Sequence, residues 1–214
     1  MDNRIRGGLR PEGTAGIELL GHRDYVGGMW DQIGKLQFDF LIDNGLQPRD
    51  CLLDIGCGSL RGGIYFINFL DRGNYLGIDK EAELIRLGVE KELGSAAANT
   101  KQPEFIVSEK FDFSGFSRQP RISIAQSLFT HLHRSDIELC LANLADFVQT
   151  EHTLFATFFE GDSAANWNES HSHAGFRYSR SEMEDLGHRT GWRPTYVGDW
   201  NHPRDQKLIR YDTP

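Results

Sequence analysis

The sequence has few of the features that mark secreted, metal-binding or membrane-spanning chains. Its only cysteines are Cys51, Cys57 and Cys140, and their spacing fits neither a disulfide framework nor a zinc motif. The longest apolar stretches, such as residues 154–159, are far shorter than the ~20 residues that cross a bilayer. We therefore expect a cytoplasmic protein with no membrane partner.

The sequence also has fewer basic residues than acidic ones. The 214 residues include 23 Lys and Arg against 31 Asp and Glu, which gives a formal net charge of −8 at pH 7. Because nucleic-acid binding needs a positive face that neutralises phosphates, we expect no nucleic-acid partner. The basic residues are 17 Arg and 6 Lys, however, and the guanidinium fork suits carboxylates and phosphates. The composition is therefore compatible with a local pocket that binds an anion.

The length, divided by ~150 residues for a typical domain, favours one domain with additions. Residues 1–16 are rich in Gly and Arg without an apolar pattern, which predicts a loose tail. Apolar residues at helical spacing predict a helix over residues 25–44. We divide the chain into an N-terminal tail and helical cover, residues 1–45, and a main domain, residues 46–214. The main domain carries an insertion over its active face at about residues 161–180.

The main domain alternates predicted strands and helices. Short apolar runs predict five strands, and amphipathic stretches predict four helices, of which the last opens with a capping box at Ser181–Glu184. Two further strands follow with too few residues between them for a crossover helix, so they must be antiparallel. The pattern predicts a three-layer α/β sandwich whose mostly parallel sheet has a reversed last strand. The predicted strands are 51–55, 75–79, 104–107, 121–125, 153–159, 195–197 and 207–211, and the predicted helices are 64–70, 82–93, 136–148 and 181–190.

The strongest local signal is the turn that follows the first predicted strand. Residues 53–58, LDIGCG, place Gly56 and Gly58 where a ligand can approach backbone N–H groups. The next strand ends in Asp79, and an acidic residue there can bind both hydroxyls of a ribose. A plain glycine-rich βα loop is the alternative for the turn alone. Together the two features predict a cofactor that contains a nucleoside.

These residues resemble the class I S-adenosylmethionine-dependent methyltransferases. The third glycine of a dinucleotide fingerprint is absent, because Gly58 is followed by Ser59, Leu60 and then Arg61. The resemblance extends from about residue 20 to the C-terminus. The matching segments are LLDIGCG (52–58), YLGID (75–79), IAQSLFTHL (124–132), LFATFF (154–159) and the closing reversed strand. The resemblance implies a Rossmann-like, seven-stranded sheet, and S-adenosylmethionine as cofactor with S-adenosylhomocysteine as product.

The resemblance also implies roles for residues at the cofactor. The glycine turn would back the methionine end, Asp54 would help hold its ammonium, Asp79 would bind the ribose and Lys80 would flank the adenine. Residues after the third strand would contact the adenine edge, and residues after the fourth would lie beside the sulfonium. The full predicted set is Asp54, Gly56, Cys57, Gly58, Asp79, Lys80, Asp112, Phe113, Gln126 and Ser127.

Aromatic, histidine and arginine side chains from three segments are the candidates for acceptor binding. These segments are the stretch around Gly27 and Gly28, the insertion and the connection between the last two strands, where loops of such sheets carry function. The predicted acceptor-binding residues are Tyr25, Trp30, Trp167, His171, His173, Arg177 and Trp200. A packed helix with a glycine hinge is an alternative for the first segment. His171 and His173 lack supporting ligands, so we expect no metal.

Methyl transfer to oxygen is helped by a base that removes the acceptor proton. The candidates are His131, Glu160 and His202, because histidine titrates near neutral pH and all three lie on loops of the active face or at its edge. For His131, a structural or cofactor-positioning role is the alternative. Proximity alone can also drive the reaction without any base.

The sequence therefore favours a methyltransferase that acts on a small metabolite, at a hydroxyl oxygen. Residues 126–129, QSLF, stand where base-modifying enzymes carry an Asn/Asp-Pro-Pro-Tyr motif, which argues further against nucleic acid. Arg61, Arg177 and Arg204 on or near the binding edge leave an anionic acceptor open. A non-catalytic cofactor-binding scaffold and an NAD-dependent oxidoreductase are the alternatives. The sequence leaves the choice between monomer and homodimer open.

Overall fold

The computed structural model describes residues 10–214, so the first nine residues of the predicted tail lie outside the described part. An eight-stranded sheet is covered by helices on both faces. The helices are α1 Gly13–Leu20, α2 His22–Tyr25, α3 Trp30–Asp43, α4 Gly63–Phe69, α5 Ala82–Leu87, α6 Ser95–Lys101, α7 Arg134–Phe147 and α8 Arg180–Arg189, and a π-helical turn, Gly88–Leu93, continues α5.

The strands are β1 Leu52–Ile55, β2 Tyr75–Asp79, β3 Glu104–Val107, β4 Ile122–Ala125, β5 Thr153–Glu160, β6 Arg177–Tyr178, β7 Arg193–Gly198 and β8 Lys207–Asp212. They run in the order β3-β2-β1-β4-β5-β8-β7 across the sheet, and β6 pairs with β5 outside this order. Strands β1 to β5 are parallel to one another, whereas β8 is antiparallel to both β5 and β7. This confirms the predicted fold class and the reversed last strand.

The sheet has eight strands and not seven because of the short strand β6. Its two residues pair in parallel with Phe159 and Glu160 at the end of β5. The sequence offers no period-2 run at this place, since only two residues take part. Strand β6 ends the part of the insertion that lines the candidate site.

The core is split by the sheet into two apolar layers. All four residues of β1 are buried, with Leu53 and Ile55 in one layer and Leu52 in the other. Helices α7 and α8 pack on the first layer, and α3 and α4 pack on the second. A strand buried on both faces reads as a continuous apolar run, which is why β1 was predictable from sequence.

The N-terminal region is more ordered than the sequence indicates. Helix α1 begins at Gly13, inside the stretch that was expected to be a loose tail. The helix predicted from residue 25 begins instead at Trp30, because Gly27, Gly28 and Met29 have φ values of 95°, 62° and 48°. Left-handed backbone cannot continue an α-helix. The chain therefore makes a turn over residues 26–29 before α3.

Two other details of the helices differ from prediction. The capping box of α8 is formed by Ser179 and Glu182, each side chain bonding the other's backbone N–H, and not by Ser181 and Glu184. Helix α6 was not predicted because it has no buried residue and hence no apolar period. In the described part of the chain, no helix has the length and apolar character needed to cross a membrane.

Candidate functional site

A cavity of about 1230 Å³ opens at the carboxyl ends of β1, β2 and β4. Ligands bind at this edge in open α/β sheets, because the loops there are free to vary. Residues of the N-terminal cover and of the insertion form its outer wall. The predicted site residues that line the cavity are Tyr25, Asp54, Gly56, Cys57, Gly58, Asp79, Lys80, Gln126, Ser127, His131, Trp167, His171, His173 and Arg177.

The glycine turn and Asp79 form one rigid unit. Gly56 and Gly58 have φ values of 74° and 52°, which other residues adopt only with strain. The N–H of Gly58 donates to Asp79 Oδ2 at 2.8 Å, and the N–H of Glu81 donates to Asp79 Oδ1 at 2.9 Å. Burial raises the pKa of Asp79. Each carboxylate oxygen keeps a second lone pair, so Asp79 can accept further hydrogen bonds from a vicinal diol.

Asp54 is a buried acid at the base of the cavity. It is 5% exposed and accepts a hydrogen bond of 2.7 Å from the hydroxyl of Tyr75. Burial raises the pKa of Asp54 to about 7, although the hydrogen bond from Tyr75 acts in the opposite direction. A cation in the cavity would offset this burial, because opposite charge favours the ionised carboxylate. Asp54 therefore suits the ammonium group of a ligand.

A polar network fixes the end of β4. The amide of Gln126 donates to Ser127 Oγ at 2.7 Å, and the N–H of Ser127 donates to Thr157 Oγ1 at 2.7 Å. The amide nitrogen of Gln126 also lies 3.2 Å from His202 Nε2, and its Oε1 accepts a hydrogen bond of 2.7 Å from Arg61. Because Ser127 has a φ of 57°, these bonds hold a left-handed residue at the cavity wall. The result is a fixed polar surface in front of the sheet.

His131 presents a neutral imidazole to the cavity. Burial lowers its pKa to about 4, so the ring is uncharged near neutral pH. Nδ1 lies 2.6 Å from the carbonyl oxygen of Ala174, and only a protonated Nδ1 can make that hydrogen bond. Nε2 then carries a lone pair and has no hydrogen-bond partner within residues 10–214. This is the tautomer that a general base requires.

Glu12 joins the N-terminal cover to two other parts of the wall. It accepts hydrogen bonds from Lys80 Nζ at 2.8 Å and from the N–H of Ser172 at 2.7 Å. Burial would raise the pKa of Glu12, but the bonds from Lys80 and Ser172 outweigh it and lower the pKa to about 2. Nearby, the rings of Tyr25 and His173 meet edge to face at 4.9 Å. The cover and the insertion thus close the cavity together.

No protein-family model matches the sequence. The structure is similar to magnesium protoporphyrin IX methyltransferase from Synechocystis with bound S-adenosylhomocysteine, at a TM-score of 0.60, 12% identity and coverage of 86% and 85% of the two chains. It is also similar to a SAM-dependent methyltransferase from Aquifex aeolicus, at a TM-score of 0.63, 16% identity and coverage of 83% and 89% of the two chains. A third similar structure is 1,6-didemethyltoxoflavin-N1-methyltransferase from Burkholderia thailandensis, at a TM-score of 0.62, 14% identity and coverage of 93% and 82%. The chain has the fold of S-adenosylmethionine-dependent methyltransferases.

Within this methyltransferase fold, six of the predicted residues do not line the cavity. Phe113 is 2% exposed in the apolar core, and Asp112 faces solvent and accepts a hydrogen bond from Ser114. The segment after β3 contributes Ser108, Glu109 and Phe111 instead. Phe111 has a φ of 54°, and the chain turns there before residues 112–113. The adenine-edge role predicted for those two residues has no support from their position.

The other four of the six pack behind the wall or outside it. Trp30 is 8% exposed, and Trp200 is 5% exposed with its ring 5.3 Å from that of His202. Burial lowers the pKa of His202 to about 4. Its ring does not line the cavity but contacts two residues that do, the amide of Gln126 and the backbone N–H of Arg204. Glu160 accepts a hydrogen bond of 2.7 Å from Tyr196 on the exposed side. His131 is thus the predicted base that borders the cavity of this methyltransferase fold.

The sequence does not mark some residues of the wall or the residue that braces it. Glu12, which bonds Lys80 and Ser172 of the wall without lining the cavity itself, lies in the segment predicted to be a loose tail, and no pattern marks it. Leu128 and Gln206 line the cavity, yet an isolated apolar or amide residue carries no signal. Within residues 10–214, no group of His, Cys, Asp and Glu is placed to hold a metal ion.

Proposed function

We propose that this protein is an S-adenosylmethionine-dependent methyltransferase that methylates a hydroxyl oxygen of a small-molecule acceptor. One observation carries the proposal. Asp79, tied by backbone N–H groups to the glycine turn and to its own loop, shares a cavity wall with the neutral base His131. The first feature suits a ribose and the second suits proton removal. The similar structures named above include methyltransferases of small molecules, which supports the same function.

The residues present fit the cofactor. Asp79 would accept hydrogen bonds from the ribose hydroxyls, and Asp54 would face the ammonium of the methionine end. Gly56 and Gly58 leave the backbone open to close approach. The volume of about 1230 Å³ exceeds that of a typical small-ligand pocket, ~300–1000 Å³, so it can hold the cofactor and a modest acceptor together. When bound, S-adenosylmethionine would supply an electrophilic methyl group.

His131 would then act on the acceptor. Its Nε2 lone pair would accept the proton of the acceptor hydroxyl, while Nδ1–H stays bonded to the carbonyl oxygen of Ala174. The cofactor would supply the methyl group by loss of its C–S bond and would leave as S-adenosylhomocysteine. A carbonyl partner at Nδ1 orients the ring without adding negative charge. Gln126 and Ser127 would lie beside the reacting atoms, where their fixed network limits reorganisation.

Calorimetry with S-adenosylmethionine and S-adenosylhomocysteine tests the cofactor. Wild type should bind both. Asp79→Ala should weaken both by about tenfold or more, because each hydrogen bond to a charged group contributes ~1.5–3 kcal/mol. Asp146→Ala, at an exposed position on α7, is the matched control and should bind as wild type does. Circular dichroism confirms that Asp79→Ala is folded, and Asp79→Asn keeps the side-chain size if it is not.

Turnover separates an enzyme from a scaffold. The protein with S-adenosylmethionine is mixed with a panel of hydroxylated metabolites, and methylated products are sought by mass spectrometry. O-methylated product supports the proposal. Cofactor binding with no product across the panel favours the scaffold instead. Absence of binding to either cofactor form, with tight binding of NAD, would refute the proposal and support an oxidoreductase.

A further inference from the structure

Two arginines meet at the cavity wall from distant parts of the chain. Arg61 follows the glycine turn and is 7% exposed, while Arg204 comes from the connection between β7 and β8. Arg61 donates to the carbonyl oxygens of Val26 at 3.0 Å and Gly28 at 2.9 Å. Arg204 donates to the carbonyl oxygen of the residue between them, Gly27. Both guanidinium groups therefore hold the same turn of the N-terminal cover.

Within residues 10–214, neither guanidinium forms an ion pair with a carboxylate. Arg61 is buried, whereas Arg204 is exposed to solvent. All hydrogen-bond partners of Arg61 and Arg204 within residues 10–214 are neutral oxygens, the third for Arg61 being Gln126 Oε1 at 2.7 Å. Burial, with the charge of Arg204, lowers the pKa of Arg61 to about 10, so the Arg61 guanidinium is still charged at neutral pH. Asp54 acts on Arg61 through space, but its own pKa of about 7 leaves it only partly ionised.

An unneutralised buried charge is costly, and a second like charge beside it adds to the cost. An anionic ligand beside the pair would offset this cost, because a nearby opposite charge favours the ionised guanidinium. Arg204 also has free capacity, since Nε and Nη1 have no hydrogen-bond partner within residues 10–214. The guanidinium fork can bind a carboxylate or a phosphate through two parallel hydrogen bonds.

The cavity around the pair is lined by groups of both charges. Its acids are Asp24, Asp54, Asp79, Glu81, Glu109, Asp136 and Asp162. Asp136 is engaged by the hydroxyl of Ser170, and Asp162 accepts a hydrogen bond from the N–H of Ala164. Its lysine and arginine residues are Arg10, Arg61, Lys80, Arg177 and Arg204. Of these, Arg61 and Arg204 are the two whose guanidinium groups hold the same turn.

We propose that Arg61 and Arg204 form an anion-binding site and that the methyl acceptor of this protein carries a carboxylate or a phosphate that occupies it. The inference rests on the proposed function, because it names the class of acceptor for the same cavity. The other source of a carboxylate is the methionine end of the cofactor itself. The test must therefore separate the two sources.

The test uses the full chain saturated with S-adenosylhomocysteine, which leaves free only the acceptor side. Inorganic phosphate and acetate are the anionic probes, and acetamide is the neutral probe matched to acetate. Binding is followed by NMR shifts and by calorimetry for wild type, Arg204→Gln, Arg61→Gln and Arg193→Gln. Arg193 is an exposed arginine of β7 outside the cavity and is the matched control. Arg61→Lys keeps the charge if loss of the turn contacts unfolds Arg61→Gln.

We expect the anions, but not acetamide, to bind the saturated wild type. Arg204→Gln and Arg61→Gln should each weaken anion binding about tenfold or more, whereas the control Arg193→Gln should not. Arg204→Gln should change the affinity for S-adenosylhomocysteine less than threefold. The proposal is overturned if Arg204→Gln weakens S-adenosylhomocysteine itself about tenfold while the saturated protein binds no anion. Equal anion binding by all variants also overturns it. If wild type does not bind S-adenosylhomocysteine, the proposed function fails first, which is a distinct result.

Discussion

Asp54→Asn should make the protein more stable at alkaline pH. The folded pKa of Asp54 is about 7, above its ordinary value of 3.8 in an unfolded chain. Between these values the folded state binds a proton that the unfolded state releases, so stability falls as pH rises. Above both values the loss is complete, and at ~1.4 kcal/mol per pH unit it amounts to about 4 kcal/mol. Asparagine has nearly the same shape, keeps an acceptor for the Tyr75 hydroxyl and carries no charge.

Urea unfolding at pH 8 and at pH 5 measures the effect. At pH 8 we expect Asp54→Asn to raise the free energy of unfolding by about 2 to 4 kcal/mol, the lower figure allowing for an amide N–H₂ without a full set of partners. At pH 5 the gain should shrink to about 2 kcal/mol or less, because wild-type Asp54 is then protonated when folded. Asp146→Asn, at an exposed site, should leave stability unchanged at both values. A variant no more stable than wild type at pH 8, or a gain independent of pH, would refute the reasoning.

The same variant links stability to the proposed ligand. If the carboxylate faces the ammonium of the cofactor, Asp54→Asn should weaken binding of S-adenosylhomocysteine at pH 8 by about tenfold or more. A gain in stability together with a loss of affinity is the pattern expected of a buried charge kept for binding. Unchanged affinity would show that Asp54 is not next to the ligand's cation.

Three further predictions follow from the cavity wall and its supports. His131→Gln should lower kcat by about 10²- to 10⁴-fold, with affinity for S-adenosylhomocysteine within threefold of wild type. Wild-type turnover should be independent of pH above about 5, because the pKa of His131 near 4 leaves its imidazole already unprotonated. A normal kcat for the variant would argue against a base. Gly34→Ala should cost about 1–3 kcal/mol of stability in urea unfolding, because its methyl group would overlap the carbonyl of Arg61, whereas Gly175→Ala meets open space and is the control. Because the pKa of Glu12 is about 2, its contribution to stability is present above pH 4.5 and is lost as the pH falls toward 2. Glu12→Gln should remove this pH dependence. An acid unfolding profile that is the same in the variant and in wild type would contradict the prediction.

The centre of the sheet was predictable because β1, β2 and β4 are buried on both faces. The runs that end in Ile55 and Asp79 are apolar apart from the acidic residues Asp54 and Asp79, and a strand of this kind leaves a clear signal in sequence. The antiparallel direction of the last strand followed from the short connection before β8. By contrast, α6 lies on the surface with no buried side chain, and β6 is only two residues long, so neither has a pattern.

The candidate site was predictable where local backbone decides the geometry. Gly56, Gly58 and Asp79 lie at strand ends, and strand ends are placed by the sheet itself. Asp112 and Phe113, the residues predicted to contact the adenine edge, do not line the cavity because the left-handed backbone at Phe111 turns the chain before them. Whether an aromatic such as Trp200 points into a cavity or a core depends on tertiary packing, which spacing along a loop does not encode.

The contacts that close the cavity could not be predicted from the sequence for a different reason. Glu12 meets Ser172 across 160 positions of the chain, and Arg204 meets Gly27 across 177. Such pairs depend on two loops from opposite ends of the chain reaching one place. A single sequence shows the charges but not their partners.

A crystal structure of the complex with S-adenosylhomocysteine is the most direct test of the central claim. The account predicts both ribose hydroxyls within hydrogen-bond distance of the Asp79 carboxylate and the amino group beside Asp54. It also predicts that the sulfur faces a space bordered by His131. A ligand bound elsewhere, or bound in this cavity with its ribose away from Asp79, would contradict the account.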